Sequence, residues 1–205
     1  MVLFFVIVVF VLTASLIYHS LKARGKSFTL LFFITGGVLG IARENVVAHL
    51  TDLYSYNPSF FTLWIGAAPV VLLVFWSFTI YISMSLSESL LRADFLKGKR
   101  VVLTILLSMV FMGAIACMNE AMASTFPMVL WKFQPEVTIW ECTPLMVVFG
   151  YSGLCAILLS VVYIIERRGW RTWVKITVGI LSTAVMIPLH IAWIALVRAV
   201  ITLFI

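Results

Sequence analysis

Long apolar runs separated by short polar connections dominate the chain. Taken at about 20 apolar residues per membrane crossing, they predict six spans: residues 2–21, 28–50, 60–86, 101–126, 143–165 and 174–203. The connections are Lys22 to Lys26, Thr51 to Ser59, Ser87 to Arg100, Pro127 to Cys142 and Glu166 to Trp173. The last run is long enough to tilt, and Pro188 within it predicts a kink. The expected architecture is an all-α, polytopic bundle of six transmembrane helices, a single domain over 1–205.

Composition agrees with that pattern. Of 205 residues, 63% are hydrophobic and 11% charged, about half the charged share of a soluble domain. No polar stretch is long enough to build a soluble domain. The first apolar run has its charges after it, as expected of a span that stays in place, without the basic n-region and cleavage site of a secretory signal. The expected location is the cell membrane, crossed several times.

The net charge of +6 raises nucleic acid as a partner only until the basic residues are located. They sit in short connections, where they set topology, so no nucleic-acid binding is expected. The first, third and fifth connections hold ten of them, against Lys132 alone in the fourth and none in the second. Basic loops face the cytoplasm, which predicts both termini on the extracytoplasmic side. Cys117, Cys142 and Cys155 form no metal spacing with histidine; pairing of Cys117 with Cys142 stays open. Neither a metal nor another cofactor is expected.

The candidate chemistry comes from polar residues that interrupt the spans. Charge inside a membrane is costly unless paired or wetted, and so marks function by default. At 1.5 Å per residue, Arg43 and Glu44 lie about 22–24 Å along the second span, Asn119 and Glu120 about 27–29 Å along the fourth, and His190 about 24 Å along the sixth. Three spans thus carry polar groups at one depth, in the expected outer half. The inner halves offer hydroxyls but no charges, which weighs against a proton-coupled carrier. Arg43 and Glu44 are adjacent and are expected on different faces, so an Arg43–Glu120 or Glu44–His190 pair could hold helices together.

No histidine box, HExxH, GxSxG or Asp-rich diphosphate motif is present. Two glutamates, a histidine, an asparagine and many aromatics suit proton transfer to an apolar substrate. A carboxyl in low dielectric keeps its proton as a general acid must, and aromatic faces stabilise cations. Trp64, Trp131, Trp140 and Trp193 are the candidate faces.

Two stretches carry a further signal. Residues 36–83 contain Gly36, Gly37, Gly40, Glu44, Tyr54, Tyr56, Pro69 and Trp76; residues 119–153 contain Asn119, Glu120, Trp131, Trp140, Pro144, Leu145, Gly150 and Tyr151. In order and spacing they resemble the carotenoid biosynthesis protein family that includes the membrane carotenoid hydratases. Asn119–Glu120 stands in place of the family's aspartate, and Tyr151 where the family tends to have tryptophan. The resemblance implies a long isoprenoid substrate among the helices and a hydro-lyase activity, hydration of its terminal trisubstituted double bond. Glu44 or Glu120 would then be the acid, Asn119 or His190 would orient water, Arg43 would tune the glutamates, and Tyr54 and Tyr56 would line the substrate site. The alternative is a non-catalytic integral subunit or assembly partner of a larger membrane complex.

Overall fold

The computed structural model describes residues 2–50, 54–126, 128–131, 138–139 and 143–203. Five helices carry the fold: α1 (Val2–Leu50), α2 (Leu72–Leu91), α3 (Val101–Thr125), α4 (Leu145–Glu166) and α5 (Thr172–Leu203). All five are long and apolar enough to cross a membrane, consistent with a multi-pass membrane protein. Six spans are predicted from hydropathy; the difference lies in α1, which joins the first two predicted spans.

Helix α1 is kinked at Gly25, whose φ of 81° and ψ of 170° are not helical. Glycine meets no Cβ penalty there. The two halves fold back on each other at this residue. Ser20 Oγ lies 2.8 Å from Thr29 Oγ1. His19 Nδ1 is 2.9 Å from the Tyr81 hydroxyl, while the Phe32 ring centroid is 5.6 Å from that of Tyr81. In a straight helix residues 19 and 32 would stand about 20 Å apart, so one tyrosine could not touch both.

Helix α1 packs on α2 and α5, α3 packs on α2 and α4, and α4 on α5. Phe28, Phe32, Tyr81, Leu154 and Leu158 are fully buried between them. Small residues let α1 and α2 approach closely. A Cβ at Gly37 would lie 2.7 Å from the Leu73 carbonyl oxygen, and one at Gly40 would lie 2.6 Å from the Trp76 ring. Side-chain hydrogen bonds tie the remaining seams: Ser77 Oγ to Phe33 O, Ser152 Oγ to Met109 O, and Ser108 Oγ to Ser87 Oγ.

The connections are more ordered than the hydropathy pattern suggests. Strand β1 (Tyr54–Tyr56) pairs antiparallel with β4 (Val129–Trp131), placing Tyr54 opposite Trp131. Strands β2 (Trp64–Ile65) and β3 (Ala68–Pro69) form a hairpin turning at Gly66, so the third predicted span begins at Leu72 instead of residue 60. Strands β5 (Thr138–Ile139) and β6 (Thr143–Pro144) pair just before α4. Asn45 holds the hairpin to α1, donating to Ile65 O and accepting from Ala67 N. At its other end the chain runs helical through Pro188.

The opposite end of the bundle gathers the basic connections. Arg24 pairs with Glu88 at the end of α2. The 3₁₀ turn Phe95–Lys97 follows, with Phe95 packed on Tyr163 near the end of α4.

Candidate functional site

Glu44 sits in the last two turns of α1 and is 1% exposed. Its carboxylate accepts four hydrogen bonds. Oε1 takes Arg43 Nη1 at 2.5 Å and the Trp76 indole N–H at 3.1 Å. Oε2 takes the hydroxyls of Tyr54 at 2.5 Å and Tyr56 at 2.6 Å. A carboxylate has about four lone-pair positions, so this one is filled.

The sequence position of these donors explains the arrangement. Gly40 stands one turn before Glu44 and has no side chain to hold α2 away, so the Trp76 indole reaches across. The β1–β4 ribbon folds back over the end of α1 and brings both tyrosines down. Adjacent residues were expected to face apart, yet Arg43 and Glu44 pair. The long arginine side chain curls back along the helix, with its guanidinium 5.6 Å from the Trp76 ring centroid and 2.9 Å from the Tyr54 hydroxyl. The resulting cluster is nearly charge-neutral, which makes burying it in a membrane protein tolerable.

Burial, reinforced by the Glu44 carboxylate, pushes both phenols above the ordinary tyrosine range; at Tyr54 the Arg43 charge pulls the other way but is outweighed. A folded-state value raised above the unfolded one near 10 leaves this stabilisation complete below that pH. It is lost as pH climbs above it. An alkaline titration should therefore show Tyr54 and Tyr56 ionising late, and only as the fold opens. Tyrosinate absorbance compared with that of the Tyr54→Phe/Tyr56→Phe variant checks this; early, reversible ionisation of both would contradict the network.

Beside this cluster lies a cavity of about 100 Å³. Arg43 and Glu44 form one wall, Asn119 and Glu120 of α3 another, and Gly150 and Tyr151 of α4 a third. Glu120 is 4% exposed. The Asn119 amide donates to the Tyr151 hydroxyl at 2.8 Å, and the Tyr151 ring packs on Trp76 with centroids 4.7 Å apart. Beyond Tyr54 and Tyr56, the rest of the described wall is apolar, including Phe61, Phe75, Met146 and Ile194. The volume is several times the space that one water requires.

Of the expected catalytic residues, Arg43, Glu44, Asn119 and Glu120 meet at this cavity. His190 shares their depth but lies behind the wall. It is fully buried, and its Nε2 bonds the Gly150 carbonyl at 2.8 Å. Tyr54 and Tyr56 line the cavity. The tryptophans distribute differently. Trp64 bonds the Phe61 carbonyl in the hairpin, and Trp193 bonds Phe149 O while packing on Gly153; neither lines the cavity. Trp131 belongs to β4, with its side chain outside the described residues, as are Trp140 and Cys142 entirely; the Cys117–Cys142 pairing therefore also falls outside them. Among the described residues, Trp76 and Tyr151, with Phe61 and Phe75, build the aromatic wall. Trp76 was singled out in the sequence only as part of the family resemblance; Gly40, one turn before Glu44, is what admits its ring.

No protein-family model, curated protein or solved structure matches this chain.

Proposed function

We propose that this chain is a multi-pass enzyme of the cell membrane that adds water to the terminal trisubstituted double bond of a long isoprenoid. The observation that carries the reading is the cavity itself. It joins a buried glutamate, an asparagine amide and an aromatic wall in one space with room for water. The same proposal takes the fold-back at Gly25 as the turn between two membrane passes, giving six passes with both termini extracytoplasmic.

The four donors around Glu44 occupy it as an acceptor, which leaves Glu120 as the acid. Its carboxyl proton is transferred to C2 of the terminal double bond, leaving a tertiary cation at C1 and a carboxylate on Glu120. Trp76 and Tyr151 offer ring faces to that cation, and the Glu44 charge offsets Arg43, which would otherwise repel it. Water adds at C1, and the oxonium proton returns to Glu120. Atoms and charge balance with no redox cofactor. Asn119 takes the water-orienting role rather than His190, whose Nε2 is engaged at Gly150.

A second reading has its own observation. The saturated Glu44 network is what a purely structural buried cluster looks like, and it fits an integral subunit whose polar residues hold helices. Lipid extracts of cells with and without the gene, compared by mass spectrometry, separate the two. A polyprenoid heavier by one water is expected only with the gene. Glu120→Gln should abolish that product at unchanged protein level. An unchanged lipid profile, with a co-purifying membrane complex, would instead support the subunit.

A further inference from the structure

Tyr151 is not needed by the fold as a hydroxyl. Its ring is packed between helices, and phenylalanine would fill that space. The hydroxyl nevertheless points to a partner, accepting from Asn119 Nδ2 at 2.8 Å. Among the described residues neither Tyr151 nor Asn119 makes any other side-chain hydrogen bond. Two capacities are thus unused: the Tyr151 O–H has no acceptor, and Asn119 Oδ1 has no donor. Both residues line the same cavity, and Tyr151 is 8% exposed.

A buried hydroxyl proton without an acceptor costs about 1–3 kcal/mol. One molecule satisfies both groups at once, because it must accept from the phenol and donate to the amide oxygen. Water does so, and the cavity has several times the space that one water requires.

We infer that Tyr151 and Asn119 form the seat of the attacking water, with Tyr151 a positioning residue for the hydration step. This rests on the hydratase reading and adds a division of labour within it: Glu120 makes the cation, and the Asn119–Tyr151 pair decides what becomes of it. Water held by the pair keeps an oxygen lone pair free to attack C1 and a proton free to pass to the Glu120 carboxylate. With the seat damaged, the cation still forms. It then collapses by returning a proton, either from C2 or from a neighbouring methyl group, to Glu120. No hydration results, but hydrogen has been exchanged with solvent.

The test is run in heavy water with the full-length protein in liposomes. The probes are acyclic C30 and C40 polyprenoids ending in isopropylidene groups. Wild-type protein should yield the deuterated tertiary alcohol. Tyr151→Phe should lower hydration by roughly 10²-fold, the scale of a mispositioned reactant. Deuterium should still enter the recovered olefin at a rate within a few-fold of wild-type turnover, and Asn119→Ala should behave alike. Glu120→Gln should lose both hydration and exchange. A merely structural role for Tyr151 would lower the two in parallel, and that result overturns the inference while leaving the hydratase reading intact. Unimpaired hydration by Tyr151→Phe overturns it equally. Absence of both hydration and exchange in wild-type protein overturns the hydratase reading, and the inference falls with it.

Discussion

Glu44→Ala should leave almost no folded protein. The substitution removes the acceptor of four donors and strands the Arg43 guanidinium, which is 8% exposed. Removing one partner of a buried ion pair costs about 3–5 kcal/mol, a large part of the 5–15 kcal/mol that holds a typical domain together. The orphaned Trp76 N–H and tyrosine hydroxyls add to that cost. The expected readout is a collapsed yield of monodisperse protein in detergent and a sharply lower melting temperature. Glu44→Gln preserves shape, but its amide nitrogen must face donors, so the loss should be smaller, about 1–3 kcal/mol. The contrast with Glu120→Gln matters most. That variant should fold normally and lose only chemistry. Near-normal stability of Glu44→Ala would mean that the cluster contributes nothing to the fold.

Arg24→Met should be the second severe lesion, at the other end of the bundle. The Arg24 side chain is 10% exposed and pairs with Glu88, 8% exposed. Its guanidinium also lies over the Phe28 ring at 5.3 Å, beside the reversal at Gly25. Without it, Glu88 keeps, among the described residues, the Phe95 backbone N–H at 2.6 Å, and its charge is buried without a cation beside it. A loss of about 3–5 kcal/mol is expected. Combining Arg24→Met with Glu88→Met should recover most of it, because apolar groups of similar size often replace a buried pair at little cost. Only the Phe95 N–H then lacks its acceptor, at about 1–3 kcal/mol. Thermal melts of the two single variants and the double variant measure the coupling. A double variant as unstable as the sum of the singles would show that the two side chains act independently.

Much of the site was legible in sequence as depth. Counting residues along each apolar run placed Glu44, Asn119, Glu120 and His190 at one level, and three of the four line one cavity. The failure of His190 is instructive. Its height agrees with the others, but its ring turns toward the Gly150 carbonyl, behind the cavity wall. Of the tryptophans proposed as ring faces, Trp64 and Trp193 lie off the cavity. Trp64 entered a hairpin that was read as the start of a helix, because periodicity alone does not separate a short apolar strand from a helix segment. Trp76, singled out only among the residues of the family resemblance and set in the second turn of α2, is the one that reaches Glu44.

The sequence by itself determined which segments are apolar enough for a membrane, which ends carry the basic connections, and how far along each helix the polar groups stand. These depend on composition and on a rise of 1.5 Å per residue. Only the tertiary structure decided which side of each helix faces its neighbours, that Arg43 curls onto Glu44, and that the loop tyrosines come down on the same carboxylate. In a soluble helix the polar face reveals the direction of the core. Here lipid and protein interior are both apolar, so rotation about the helix axis leaves no mark in the hydrophobic pattern. It is set by packing: Gly40 admits Trp76, and the β1–β4 ribbon closes over the end of α1.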